Sequence, residues 1–123
     1  MTGNPHQHGC RIYGIKNCGT MKKAFAWLEA KGVAYEFVDY KKPGVAVACL
    51  PEWNRRAGWE TLLNTRGATW RKLADDERAE VDEAKALALM ARYPALIRRP
   101  LLDTGETLLV GFDAGRYAKE LTP

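Results

Sequence analysis

The sequence predicts an α/β domain: a four-stranded mixed sheet whose βαβ half and ββα half are separated by a helical block. Three observations predict it. Near the N-terminus, a segment rich in Ile and Tyr, a helical apolar stripe and a second aromatic, β-branched segment follow one another with short connections. That order is a right-handed parallel crossover. In the last third, two short apolar runs flank Asp103-Thr104-Gly105, the pattern of an antiparallel hairpin. Between these halves the apolar residues recur at helical spacing.

The first strand runs from about Arg11 to Ile15. Helix one covers Gly19 to Lys31, because Met21, Ala24, Phe25 and Leu28 fall at i, i+3, i+4 and i+7. Gly32 stands just past its end, where a left-handed cap residue is wanted. Tyr35 to Asp39 is the second strand, and Lys41-Lys42-Pro43-Gly44 ends the unit. In the block from about 45 to 93, Leu50, Trp53 and Ala57 share a face. Ala46 to Ala48 offer no capping oxygen there, and Pro51 fits only a first turn or a kink. Gly58 stops this helix. Trp59 to Leu63 and Trp70 to Leu73 read as short turns around an Asn64-Thr65-Arg66-Gly67 loop. Asp82 is an N-cap for a helix to Arg92, with Ala86, Leu89, Met90 and Tyr93 on one face, and Pro94 ends it. Asp113 caps a last helix with Ala114, Tyr117, Ala118 and Leu121 at core spacing. The sheet is expected to carry helices on both faces. Trp27, Trp53, Trp59 and Trp70 are expected to pack the helical block on it.

The chain has 123 residues, the length of one domain, and no internal repeat or low-complexity tract. The reading is a flexible tail at 1–9 and a single domain at 10–121. With 46% hydrophobic and 28% charged residues, a disordered chain is excluded and a core needs no disulfide staples. No stretch is long enough to span a membrane, and Met1 to Gly9 lacks the apolar run of a signal peptide, so the cytoplasm is the expected compartment. The net charge of +4 is spread without a dense basic run. It suits an anionic small molecule rather than a nucleic acid. Cys10, Cys18 and Cys49 make neither a disulfide framework nor a metal spacing. His6 and His8 are read as solvated, and no metal is expected.

Cys18 ends the loop after strand one and opens the helix. A first helical turn presents unpaired N–H groups and about half a positive charge. Both favour a thiolate over a thiol. A cysteine of pKa about 8.5 can fall to roughly 3.5–7.5 at such a position. The bland alternative is a small N-cap or buried residue. The flanking strand and helix, with the cations nearby, weigh toward chemistry.

Arg98-Arg99-Pro100 stands immediately before the hairpin, so it opens at the sheet edge where strand one ends. A guanidinium there offers a planar fork of donors for an oxyanion or carboxylate and stabilises a thiolate. The alternative is a pair of arginines that solvate a loop. Arg66, in the Asn-Thr-Arg-Gly loop, is a weaker candidate on its own. Lys22 and Lys23 are read as the solvated face of helix one.

Four segments together carry a resemblance: Tyr-Gly-Ile-Lys-Asn-Cys-Gly-Thr-Met-Lys-Lys-Ala at 13–24, Gly-Trp-Glu-Thr-Leu-Leu-Asn-Thr-Arg-Gly at 58–67 with Thr-Trp-Arg-Lys-Leu at 69–73, Leu-Ile-Arg-Arg-Pro-Leu-Leu at 96–102, and Val-Gly-Phe-Asp at 110–113. In this order and spacing the chain resembles the arsenate reductase-like (ArsC/Spx) family, most of all its YffB-type branch, from about residue 10 to the end. The resemblance implies a thioredoxin-like fold with a helical insertion between the two halves. It implies that Cys18 is the catalytic cysteine, that Arg99 is the anion-binding arginine before a cis Pro100, and that Arg66 is a second cation of the pocket. An X-Pro bond tolerates cis at low cost.

The departures are as informative. Arsenate reductases of this family carry a third pocket arginine where this chain has Gly111. Their second arginine falls near Asn64, two positions from Arg66. Spx-type regulators often carry a Cys-x-x-Cys pair, and here the second position is Met21. With one thiol at the site, turnover needs an external thiol. Cys10 lies at the far end of strand one, and Cys49 reads as a helix-start residue. The resemblance therefore points to a monothiol oxidoreductase with glutathione as co-substrate, or glutaredoxin as partner. Lys16, Arg66 and Arg99 would hold glutathione carboxylates; Asn17 and the N–H groups of Gly19 and Thr20 would orient or stabilise the sulfur. A weak arsenate reductase and a non-enzymatic Spx-like module that binds RNA polymerase are the other readings. A monomer is expected.

Overall fold

The computed structural model describes residues 10–121, so the expectations for the tail at 1–9, with His6 and His8, lie outside the described residues. The chain divides into two compact units, one formed by residues up to Asp39 together with those from Arg99 onward, the other by Tyr40–Arg98. The insertion expected at about 45–93 is therefore a compact body of its own with slightly wider limits.

The first unit holds the sheet. Its strands are β1 (Arg11–Gly14), β2 (Glu36–Asp39), β3 (Leu101–Asp103) and β4 (Leu108–Val110), with α1 (Gly19–Ala30) after β1. The spatial order is β2-β1-β3-β4. β1 and β2 are parallel, while β3 runs antiparallel to both β1 and β4. The sheet is thus mixed, as the two halves of the sequence require. Ile12, Leu102 and Leu109 stand opposite one another across three strands, and the pleat puts them on one face. Met21, Ala24 and Leu28 of α1 close onto them together with Cys10 and Tyr117. Full burial of each large side chain contributes about 1.5–3 kcal/mol.

Tyr117 belongs to the last helix, α7 (Ala114–Leu121), whose start is tied by the Arg116 N–H donating to Asp113 Oδ1 at 3.0 Å. Both helices of this unit therefore lie on the same face of the sheet. The opposite face carries Tyr13, Leu101 and Val110 in register, also buried. The stripe expected on α7 is only half realised: Tyr117 is buried and Leu121 half-buried, but Ala114 and Ala118 are exposed. Tyr117 takes the core position because its ring meets Trp27 edge-on at 5.5 Å and Phe112 at 4.9 Å. Two alanines bury too little to turn the helix otherwise. Trp27 thus packs against α7, not as the sequence suggested for all four tryptophans.

The Tyr117 hydroxyl is buried with no hydrogen-bond partner among the described residues. Burial pushes this phenol far above its ordinary range. An unpaired buried hydroxyl is costly, so Tyr117→Phe is expected to stabilise the protein by about 1 kcal/mol in urea denaturation. A loss of stability would mean that the hydroxyl has a partner.

The second unit contains α2 (Val45–Ala57), α3 (Trp59–Leu62), α4 (Ala68–Arg71), α5 (Asp75–Arg78), α6 (Glu83–Arg92) and a 3₁₀ turn at Pro94–Leu96. α2 starts from Gly44, whose φ of +85° lies in the left-handed region. No side chain caps it; the Val45 N–H donates instead to Lys42 C=O at 3.2 Å, so no capping oxygen was legible. The helix begins a turn and a half before Pro51, so Pro51 lies inside it and not in its first turn. The proline removes the amide that Val47 C=O would bind, and Val47 is 60% exposed, so water can serve that carbonyl. Cys49 consequently sits in the second turn rather than at the start. Leu50 and Trp53 are buried; Trp59 and Trp70 are half-buried.

α6 follows the sequence closely: Asp82 Oδ1 accepts from the Lys85 N–H at 2.9 Å, and Ala86, Leu89 and Met90 are buried. α5 and the 3₁₀ turn had no sequence signature, since three or four residues show no period. The two ends of the unit are tied to each other. The buried Tyr40 hydroxyl donates to Ile97 C=O at 2.6 Å, and Leu63 bridges Ile97.

Candidate active site around Cys18

β1 ends at Gly14, a turn at Lys16-Asn17 follows, and Cys18 is the N-cap of α1 with extended dihedrals of −117° and 134°. β3 runs antiparallel to β1, so its start lies at the edge where β1 ends. That topology brings Arg99 to Cys18, 81 positions away in sequence. The Arg99-Pro100 peptide is cis, as expected. Pro100 is buried, and its carbonyl accepts from the Gly111 N–H at 2.8 Å, which ties the start of β3 to the end of β4.

Cys18 is half-buried. Desolvation is the largest single influence on its thiol and acts upward. The Met21 N–H, the Arg99 guanidinium, the Thr20 N–H and the Arg99 charge act downward, and together they hold the thiol below its ordinary range. As a neutral N-cap the side chain closes no regular cap hydrogen bond; the donors around it favour the ionised sulfur. The groups that act on the sulfur all belong to the first unit.

The expected donors need one correction. The sequence points to the amides of Gly19 and Thr20; the structure brings those of Thr20 and Met21 to the sulfur. With Cys18 as N-cap, Gly19 is N1, Thr20 N2 and Met21 N3. An N-cap side chain reaches the amides of N2 and N3, while the N1 amide points past it. Counting from the cap would have found Met21, whose apolar side chain drew attention to the core instead. Lys16, Asn17, Gly19 and Thr20 are all exposed around the loop, and Lys22 and Lys23 are exposed on α1.

Arg66 belongs to the second unit and is exposed. Its N–H donates to Asn64 Oδ1 at 3.0 Å, and Arg71 Nη1 donates to its carbonyl at 2.7 Å. Asn64 thus orders the loop that presents Arg66. At the other position where an arginine is missing, Gly111 has φ +79°. An arginine there would carry backbone strain.

Cys10 is the opposite of Cys18. It is 2% exposed, and burial together with the Asp103 charge pushes its thiol up. The three cysteines form no disulfide.

A thiol at a helix N-cap and an arginine before a cis proline thus lie together on a sheet of order β2-β1-β3-β4. The sequence also matches the ArsC family over residues 13–119. The chain belongs to the ArsC family. Its fold is thioredoxin-like, a four-stranded mixed sheet with a helical insertion between the βαβ and ββα halves. Among solved structures, a protein named YffB is 47% identical, with a TM-score of 0.86 over 92% of this chain and 99% of that one. An ArsC-related protein from Brucella melitensis is 43% identical, with a TM-score of 0.75 over 98% and 100% of the two chains. A protein from Haemophilus influenzae is 36% identical, covering 86% of this chain and 93% of its own length. More distantly, a Listeria innocua protein named global transcriptional regulator Spx is 26% identical over 83% of this chain and 79% of its own. No helix among the described residues of this ArsC-family chain is long and apolar enough to cross a membrane.

Proposed function

We propose that this ArsC-family chain is a glutathione-dependent thiol–disulfide oxidoreductase working through Cys18 alone. The observation that carries the reading is the environment of that sulfur: a half-buried N-cap cysteine whose thiol is held below its ordinary range by the Met21 and Thr20 amides and by Arg99, against the upward push of burial. The Cys18 thiolate attacks the glutathione sulfur of a mixed disulfide. A Cys18–glutathione bond forms, the original S–S bond breaks, and the substrate leaves as its thiolate. A second glutathione thiolate then attacks the glutathione sulfur of that intermediate. Oxidised glutathione leaves and the Cys18 thiolate returns, so two electrons pass from two glutathiones to one substrate disulfide. Cys10 is too buried to resolve the intermediate, which supports an external thiol. Arg99 and Lys16 are proposed to hold glutathione carboxylates, with Asn17, Gly19, Thr20 and Pro100 shaping the loop around them. The protein is proposed to act as a cytoplasmic monomer.

The test is the pH–rate profile of alkylation at each cysteine, mapped by peptide mass, with and without oxidised glutathione. Cys18 is expected to titrate below about 8.5 and to take up glutathione, while Cys10 lags. A Cys18 that reacts like a free thiol and stays unmodified would remove the enzyme reading. The names of the relatives support two lesser readings. Arsenate-dependent oxidation of glutathione tests one; the absence of an arginine at Gly111 argues for a low rate there. A pull-down with the C-terminal domain of the RNA polymerase alpha subunit tests the other.

A further inference from the structure

Gly14 is the last residue of β1 and has no positive φ to explain the absence of a side chain. Glycine inside a strand weakens it and often marks the close approach of another group. Here that group is Met21. A methyl carbon at Gly14 would overlap Met21 Sδ and come within 2.6 Å of its Cε. Gly14 shares a sheet face with Ile12, two residues back, so the contact lies on the core face. Met21 is fully buried there, in a cluster with Ile12, Ala24, Leu28, Leu102, Leu109 and Tyr117. Methionine is flexible, but this side chain is fully buried, so moving its tip has to displace packed neighbours.

We infer that Gly14 and Met21 are a positioning pair for Cys18: the thioether seated on the bare Cα of Gly14 fixes the first turn of α1 against the end of β1. The residue whose side chain makes this contact is the residue whose amide faces the Cys18 sulfur. One side chain therefore links the strand end to the thiolate donor, across a loop of only Ile15, Lys16 and Asn17. A larger residue at 14 must lift Met21, and with it the turn, away from the sulfur. The pair neither touches substrate nor adds a group to the reaction; it acts through the Met21 amide. The inference rests on Cys18 working as a thiolate. Glutathionylation of the unaltered protein decides that reading separately.

The test is a size swap read by the pH midpoint of Cys18 alkylation. Gly14→Ala is expected to raise the midpoint by about half a unit or more, making alkylation below the native midpoint about threefold slower. Met21→Val, which removes the thioether but keeps the amide, is expected to raise it as well by loosening the seat. The double variant Gly14→Ala/Met21→Val restores contact with the volumes exchanged and is expected to return the midpoint to that of the unaltered protein. A folded Gly14→Ala protein with an unchanged midpoint would overturn the pair. So would a double variant no better than Gly14→Ala alone. If Gly14→Ala does not fold, a folded double variant with the native midpoint supports the pair, and a double variant that also fails to fold overturns it. A merely structural contact would move stability and leave the midpoint where it was.

Discussion

Replacing Cys18 by serine is expected to abolish disulfide exchange, by at least about 10³-fold, because a hydroxyl cannot supply the nucleophile at neutral pH. Neither other cysteine should take over: Cys10 is buried with its thiol pushed up, and Cys49 lies on α2 in the other compact unit. Arg99→Leu separates the thiol from its activation. It keeps the sulfur but removes the hydrogen bond and the charge of Arg99, leaving the Met21 and Thr20 amides. The midpoint of alkylation should rise, and the rate at a pH below the native midpoint should fall about tenfold for one unit of rise.

The sign of the pH dependence follows from the thiolate fraction. Below the native midpoint the Arg99→Leu protein should be slower by a constant factor, and above about pH 9 the two rates should converge. Stability moves in a linked way. The folded thiol lies below its unfolded value, so Cys18 contributes stability that is fully present above about pH 8.5 and lost as pH falls through the folded midpoint. In Cys18→Ser that pH dependence should vanish. Two profiles that stay a constant factor apart at pH 9.5 would show that Arg99 acts on something other than sulfur ionisation.

Leu102→Ala is expected to destabilise the protein by about 2–5 kcal/mol. Leu102 is fully buried in β3, with Ile12 opposite on one side and Leu109 on the other. Truncation leaves a cavity between the sheet and α1, flanked by Ile12 and Leu109 on strands that hydrogen bonding holds at fixed spacing, so the site cannot collapse to fill it. Urea denaturation measures the loss. Lys23→Ala on the exposed side of α1 should change stability by no more than about 0.5 kcal/mol. A Leu102→Ala loss below about 1 kcal/mol would mean that this layer is not the core of the first unit.

Much of the fold was legible because its signals are local. Met21, Ala24 and Leu28 announced α1 by spacing, Asp82 and Asp113 announced two helix starts by their side chains, and the hairpin was written in its turn residues. What was misread lacks such signals. α2 starts on a left-handed Gly44 and carries Pro51 inside it, so backbone geometry decided what composition argued against. On α7, periodicity proposed four core residues, and packing chose Tyr117 because its ring finds two aromatic partners.

The site divides in the same way. The sequence by itself determined that Cys18 follows a strand and opens a helix, and that placement alone supplies the helix N–H groups and their partial charge. It also determined that no second cysteine stands within a helical turn of it. Only the tertiary structure decided that Arg99 reaches the sulfur, since that depends on β3 running antiparallel beside β1. Tertiary structure likewise decided that Cys10 is buried with its thiol pushed up, whereas the Met21 amide comes from the cap geometry of α1 itself. An ionisation state is a sum over neighbours, and the charged ones, Arg99 for Cys18 and Asp103 for Cys10, arrive only when the chain folds back on itself.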